Sequence, residues 1–177
     1  MTRYVAFLRG VNVSGQKILK MEYLREVFVS AGLSSVITFI QSGNIIFDAK
    51  ESDIRKLTTA LEDHLLKTLG YKVQVILRTF HELTELIKSD PFKGFAAIEN
   101  IKLYITLISA EPEKEIRFPM VSPKNDVEVF GRNNLDFYCI SKQQNGSFGF
   151  PNLFIEKEFR IPATTRNWNT ICKISKL

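Results

Sequence analysis

Apolar and polar positions change period repeatedly along this chain, and each change marks an element. From Arg3 to Arg9 apolar residues occupy both parities, the pattern of a strand buried on both faces. Met21, Leu24, Val27, Phe28 and Ala31 then recur at helical spacing and Gly32 supplies a stop, predicting an amphipathic helix. Val36 to Ile40 and Ile45 to Phe47 predict two short strands joined by Gln41-Ser42-Gly43-Asn44, where Gly43 and Asn44 suit positive φ. Ser52 is placed to cap a second helix, with Ile54, Leu57, Leu61, Leu65 and Leu69 inward and Gly70 closing it. Val73 to Leu77 completes a β-α-β-β-α-β order, the split βαβ of ferredoxin-like folds. That order implies an antiparallel sheet with both helices on one face.

Beyond it, Thr79-Phe80-His81-Glu82 reads as a capping box, opening a third helix with Phe80, Leu83, Leu86 and Ile87 buried. Asp90-Pro91 ends that helix, and residues 92–100 show no clear period. The predicted organisation is α+β, a ferredoxin-like N-terminal half over 1–90 and a related α+β half over 91–177, packed on the first. In the second half Ile101, Leu103, Ile105 and Leu107 alternate with Lys102, Tyr104 and Thr106, a half-buried strand. Pro112 to Arg117 is expected to form a helical turn or two, and a hairpin follows around Gly131-Arg132-Asn133-Asn134. Ser141 to Phe150 is a polar loop, Pro151 starts a short helix through Phe159, and a last helix is expected to open at Ala163-Thr164-Thr165-Arg166. Strand, helix, hairpin, helix echoes the first half, without a visible sequence repeat.

Composition narrows the function classes. Charged residues make up 24% of the chain and are interleaved in sign, so a formal net charge of +5 describes a solvated surface better than a nucleic-acid patch. The chain starts almost at once with a strand, lacks a signal-peptide pattern and has no apolar run near the ~20 residues a bilayer needs, so the expectation is a cytoplasmic protein with no membrane partner. Its two cysteines, Cys139 and Cys172, are expected to be reduced and packed. Two His and two Cys, far apart in sequence, give no zinc signature, and neither metal nor cofactor is expected.

Three motif tests fail. Gly10 and Gly15 have the spacing of a phosphate-binding loop, but Gln16 stands where its Lys should and Ile18 follows Lys17. The β-α-β-β-α-β order invites an RNA-recognition comparison, yet the third strand, Asn44-Ile45-Ile46-Phe47-Asp48, is mainly aliphatic and lacks a stacking platform. Ser42 lies in Gln-Ser-Gly-Asn without the leading Gly of a nucleophile elbow, and His64 and His81 are placed as packing or surface residues.

What remains is a set of polar residues in loops and at a predicted helix start: Arg9, Asn12, Lys17, Gln41, Ser42, Asn44, Thr165, Arg166, Asn167 and Asn169. Thr164 or Thr165 as a helix cap would leave Arg166 and the first free N–H groups at a positive helix end, which favours a carboxylate or phosphate. Arg166, Asn169, Thr170 and Lys173 would then share one helical face. The alternative is structural: the amides and Arg166 tie down backbone while Trp168 fills a core slot. The functional expectation is a small protein binding an anionic molecule in a cleft between the halves. A transferase or hydrolase using the same groups, or a nucleic-acid or protein-interaction module, are the alternatives.

Three runs, Leu8-Arg9-Gly10-Val11-Asn12-Val13-Ser14-Gly15, Gln41-Ser42-Gly43-Asn44-Ile45-Ile46-Phe47 and Ala163-Thr164-Thr165-Arg166-Asn167-Trp168-Asn169-Thr170, resemble the hallmark runs of the bacterial domain-of-unknown-function family 1697. That resemblance implies a cytoplasmic α+β protein and carries no activity, cofactor or catalytic residue.

Overall fold

Backbone pairing sorts the strands into two antiparallel sheets. The computed structural model describes residues 1–11, 19–95 and 98–177. They form two compact units, Met1–Leu83 and Thr84–Leu177. Unit 1 runs β1 (Thr2–Arg9), α1 (Met21–Ser30), β2 (Ser34–Phe39), β3 (Asn44–Ala49), α2 (Ile54–Leu69) and β4 (Gln74–Thr79). Its sheet order is β2-β3-β1-β4. The β-α-β-β-α-β order predicted from periodicity is therefore present.

Alternation decides what each face of that sheet holds. Tyr4, Ala6 and Leu8 of β1 join Ile45, Phe47, Val75 and Leu77, and the helices close over them with Leu24, Val27, Phe28, Leu57, Leu61 and Leu65. Each such large side chain stabilises the fold by about 1.5–3 kcal/mol on burial. The other parity carries Arg3, Val5, Phe7 and Arg9, in register with Asp48, Ile46, Asn44, Arg78, Ile76 and Gln74. Val5, Phe7 and Ile46 are fully buried, so β1 is covered on both faces as its sequence implied. Gly70, at φ 78, closes α2 as expected. Its N-cap is Asp53 rather than Ser52: the Asp53 carboxylate accepts from the N–H groups of Arg55 (2.9 Å) and Lys56 (3.2 Å), the second and third helical residues.

Helix α3 (Phe80–Ser89) follows β4 directly. Its capping box is formed: the Glu82 N–H donates to Thr79 Oγ1 (3.1 Å), and the Thr79 N–H to Glu82 Oε2 (2.7 Å).

Unit 2 contains β5 (Ile101–Ile108), β6 (Met120–Val121), β7 (Val127–Asn133), β8 (Asp136–Gln144), β9 (Ser147–Phe148), α4 (Pro151–Phe159), β10 (Ala163–Asn167) and α5 (Trp168–Ile174). The sheet order is β10-β5-β8-β7-β6, with β9 paired to β8. Ile108, Val129, Phe137, Cys139, Ile155 and Ala163 form its core. Residues 112–117 are not helical, contrary to expectation. Ile116 alone of that stretch packs on the core, too little apolar stripe to hold a helix against it. The polar run after β8 is also more regular than predicted, turning back as β9.

Read from its last strand, unit 1 is ordered β4-β1-β3-β2 and unit 2 β10-β5-β8-β7. With the two-residue strands β6 and β9 set aside, last, first, third, second is the order in both. The correspondence extends to register: Tyr4 faces Thr79 and Val5 faces Arg78, while Tyr104 faces Asn167 and Ile105 faces Arg166.

Candidate functional site

Two of the predicted polar runs meet at one end of the unit 1 sheet. The Leu8 N–H donates to the Gly43 carbonyl (2.8 Å), joining the end of β1 to the β2–β3 turn. Gly43 sits at φ +71, and a Cβ there would lie 2.5 Å from Val11 Cγ2 and 2.9 Å from Leu8 Cβ, so the approach requires glycine. The other left-handed residue of the turn is Ile40 (φ 48); Asn44 is not left-handed and instead begins β3. Its fully buried amide donates to the Phe39 carbonyl (3.0 Å) and to Ser42 Oγ (2.8 Å), tying the turn shut. Arg9 and Ser42 are half-buried beside this lock and Gln41 is exposed. Asn12 and Lys17 lie outside the described residues.

The third run is not a helix start. Ala163–Asn167 is strand β10, paired with Tyr104–Ile108 of β5. Thr164 and Thr165 are β-branched and their backbone groups serve the ladder, so neither caps a helix. Thr165 Oγ1 lies 2.8 Å from Thr106 Oγ1 and 3.2 Å from Asn152 Oδ1, inside the sheet–α4 interface. Arg166 is 7% exposed, and its Nη1 donates to Thr164 Oγ1 (2.7 Å) and to the Thr165 carbonyl (3.0 Å). Burial pulls its pKa down to about 10, which leaves it cationic at neutral pH. The cap of α5 is Asn167, whose side-chain oxygen accepts from the Asn169 N–H (2.9 Å). The expected helical face of Arg166, Asn169, Thr170 and Lys173 therefore does not exist, because Arg166 precedes the helix.

A concave feature of unit 2 lies beside this junction. A hollow of about 250 Å³ is walled by Phe95, Ile98, Ile101, Leu103 and Trp168, with Asn167, Asn169 and Lys102 also lining it. The Lys102 ammonium sits 4.2 Å from the Phe148 ring centroid. Trp168 packs on Phe92 with ring centroids 5.1 Å apart, and Phe95 on Phe130 at 4.9 Å, so the aromatic wall is held from behind. Of the predicted site residues, Asn167 and Asn169 line this hollow. Sequence reasoning missed Phe95 and Ile98 because residues 92–100 have no period, and took Ile101 and Leu103 as ordinary inward positions of a strand.

Among the described residues no group of three His, Cys, Asp or Glu is placed to hold a metal ion, and no helix is long and apolar enough to cross a membrane. Cys139 and Cys172 are free thiols. Burial pushes Cys139 up to about 12, so it packs as a small apolar group rather than reacting as a thiolate.

Comparison with curated proteins gives no match. Among solved structures, the conserved bacterial protein SP0830 from Streptococcus pneumoniae is similar, with a TM-score of 0.76 and 19% identity over 99% of this chain and 97% of that one. At that identity the likeness is one of fold. A family model matches residues 1–138, which include the first two polar runs and stop short of the third. On that match, the chain belongs to the family of proteins of unknown function DUF1697.

Proposed function

We propose that this protein binds a small molecule in the hollow beside Trp168. The observation that carries the reading is the hollow's make-up: five apolar residues, two of them aromatic, beside Asn167 and Asn169. Pockets that hold small molecules combine such walls with a few placed polar groups. The volume lies slightly below the ~300 Å³ at which pockets for drug-sized ligands begin, which favours a compact ligand. Binding is favoured over turnover because Lys102 is the one ionisable residue among the described lining residues, and its ammonium is engaged with Phe148. Arg166, the cation expected at an anion site, does not line the hollow and lies buried against Thr164.

Trp168 is the single tryptophan of the chain, so its emission reports on this place alone. The test is titration with compact cations, anions and neutral molecules, reading Trp168 emission and melting temperature together. A saturable emission change accompanied by a rise in Tm is expected for at least one class. Emission that no compound saturates would end the reading. Asn169→Ala, at an exposed position, should weaken the response without lowering Tm in the absence of ligand.

A further inference from the structure

The register of the two sheets pairs the hollow with an occupied counterpart. In unit 1, Arg3 precedes Tyr4, which faces Thr79, and Phe80 follows Thr79 as the first residue of α3. The Arg3 guanidinium lies over the Phe80 ring, 5.2 Å from its centroid. In unit 2, Leu103 precedes Tyr104, which faces Asn167, and Trp168 follows Asn167 as the first residue of α5. Leu103 and Trp168 thus stand where Arg3 and Phe80 stand, and both line the hollow. Unit 1 covers its junction aromatic with a cation of its own. Unit 2 has a shorter, uncharged side chain at that position, a larger aromatic, and open space between walls.

We infer that the hollow takes a weakly hydrated organic cation, a guanidinium or alkylammonium group, laid over the Trp168 indole where unit 1 lays Arg3 over Phe80. Resting on the small-molecule reading above, this names the ligand class. Indole is the strongest cation–π partner among the side chains. Ile98, Ile101 and Leu103 flank the indole, and the ammonium of Lys102, the one charged residue among the described lining residues, is held over the Phe148 ring, 4.2 Å from its centroid. A planar guanidinium is more weakly hydrated than a primary ammonium and stacks on aromatic faces. Asn169, exposed at the lining, supplies an amide oxygen that accepts from such a donor.

The test uses the intact chain and two isosteres, methylguanidinium and methylurea, with acetate and potassium chloride as controls. Methylguanidinium is expected to saturate the Trp168 emission change at millimolar concentration, with methylurea at least tenfold weaker and potassium chloride without effect. Asn169→Asp places a carboxylate at the exposed lining position and should tighten methylguanidinium severalfold. Leu103→Arg supplies the missing internal guanidinium and should abolish the response. Saturation by methylurea or acetate, with methylguanidinium silent or Asn169→Asp without effect on it, overturns the cation and leaves a small-molecule site. Silence of Trp168 toward every probe overturns both. Because Asn169→Asp changes an exposed side chain, the test survives a Leu103→Arg protein that fails to fold.

Discussion

At its last strand each unit turns directly into a helix through three residues of matching kind. Unit 1 uses Arg78-Thr79-Phe80 and unit 2 Arg166-Asn167-Trp168. In both, the arginine is 7% exposed and donates through Nη1 to the carbonyl of the residue before it, Leu77 at 2.8 Å and Thr165 at 3.0 Å. In both, the next residue caps the helix, and an aromatic opens it. The two junctions differ in how they are closed. Unit 1 closes its junction with a reciprocal capping box and with Arg3 over Phe80; unit 2 has a single-amide cap and a hollow at its tryptophan. Both arginines are buried in the same device, and what unit 2 lacks coincides with the hollow that we propose takes a ligand.

The largest expected effect separates the hairpins. Gly43→Ala forces a Cβ into Val11 and Leu8 at a left-handed position, and should cost about 3 kcal/mol in urea denaturation, overpacking and backbone strain combined. The corresponding turn of unit 2 is held by Asn134 at φ 49 and is exposed, so Asn134→Ala should cost only about 1 kcal/mol. Equal losses would mean that the β1–turn contact is not what crowds unit 1.

Next in size is a pH effect confined to unit 2. Tyr4 faces Phe47 in unit 1, whereas its counterpart Tyr104 faces Cys139. Burial raises the Cys139 pKa from 9.0 to about 12, so between those values the folded chain holds a proton that the unfolded chain has lost. Stability from this group is whole below about pH 9 and falls as pH rises toward 12, by roughly 1 kcal/mol per pH unit. Tyr104, its pKa also raised by burial, adds the same sign. Cys139→Ala should start less stable and lose less between pH 9 and 11; parallel curves would show that the thiol does not titrate on unfolding.

How much of this was legible depends on the range of the interactions involved. Local patterns carried α1, α2, α3, α4 and the capping box at Thr79, because helix stripes and caps are encoded within a few residues. The β2–β3 turn was also visible, though Ile40 rather than Asn44 takes the second left-handed position, since Asn44 is drawn into β3 by its pairing with Phe7. Strand β10 was hidden. Thr164-Thr165-Arg166 shows no apolar alternation, and its identity as a strand depends on β5, with Thr106 59 residues before Thr165. The hollow was hidden for the same reason: its walls come from the aperiodic connector, from β5 and from α5. Arg78 is not distinctive in sequence, because a lone arginine in a short apolar run looks like a strand end until its register with Val5 is known.

The two caps give a smaller, paired test. Thr79→Ala and Asn167→Ala each remove a side-chain acceptor from a helix N-terminus and should each cost about 1 kcal/mol. Thr79→Ala also takes a hydroxyl donor from Glu82, so its loss should be the larger of the two. Asn167→Ala should in addition alter Trp168 emission, because Asn167 lines the hollow and Thr79→Ala changes nothing there. The reverse order of stability losses would remove the contrast between a closed and an open junction.

The smallest expected effect bears most directly on that contrast. Arg3 has other interactions besides the Phe80 ring, so Arg3→Leu alone would mix several losses. A double-mutant cycle with Arg3→Leu and Phe80→Leu isolates the pair, and a coupling of about 0.5–1 kcal/mol is expected for a cation over a phenyl ring. Salt should reduce it only slightly, since the two groups are in contact and well inside a Debye length of ~10 Å at 0.1 M. Coupling near zero would mean that the guanidinium rests over Phe80 without being drawn to it. The position of Arg3 would then give no reason for a cation to prefer the equivalent place over Trp168, where the quadrupole of the larger ring is the main attraction available.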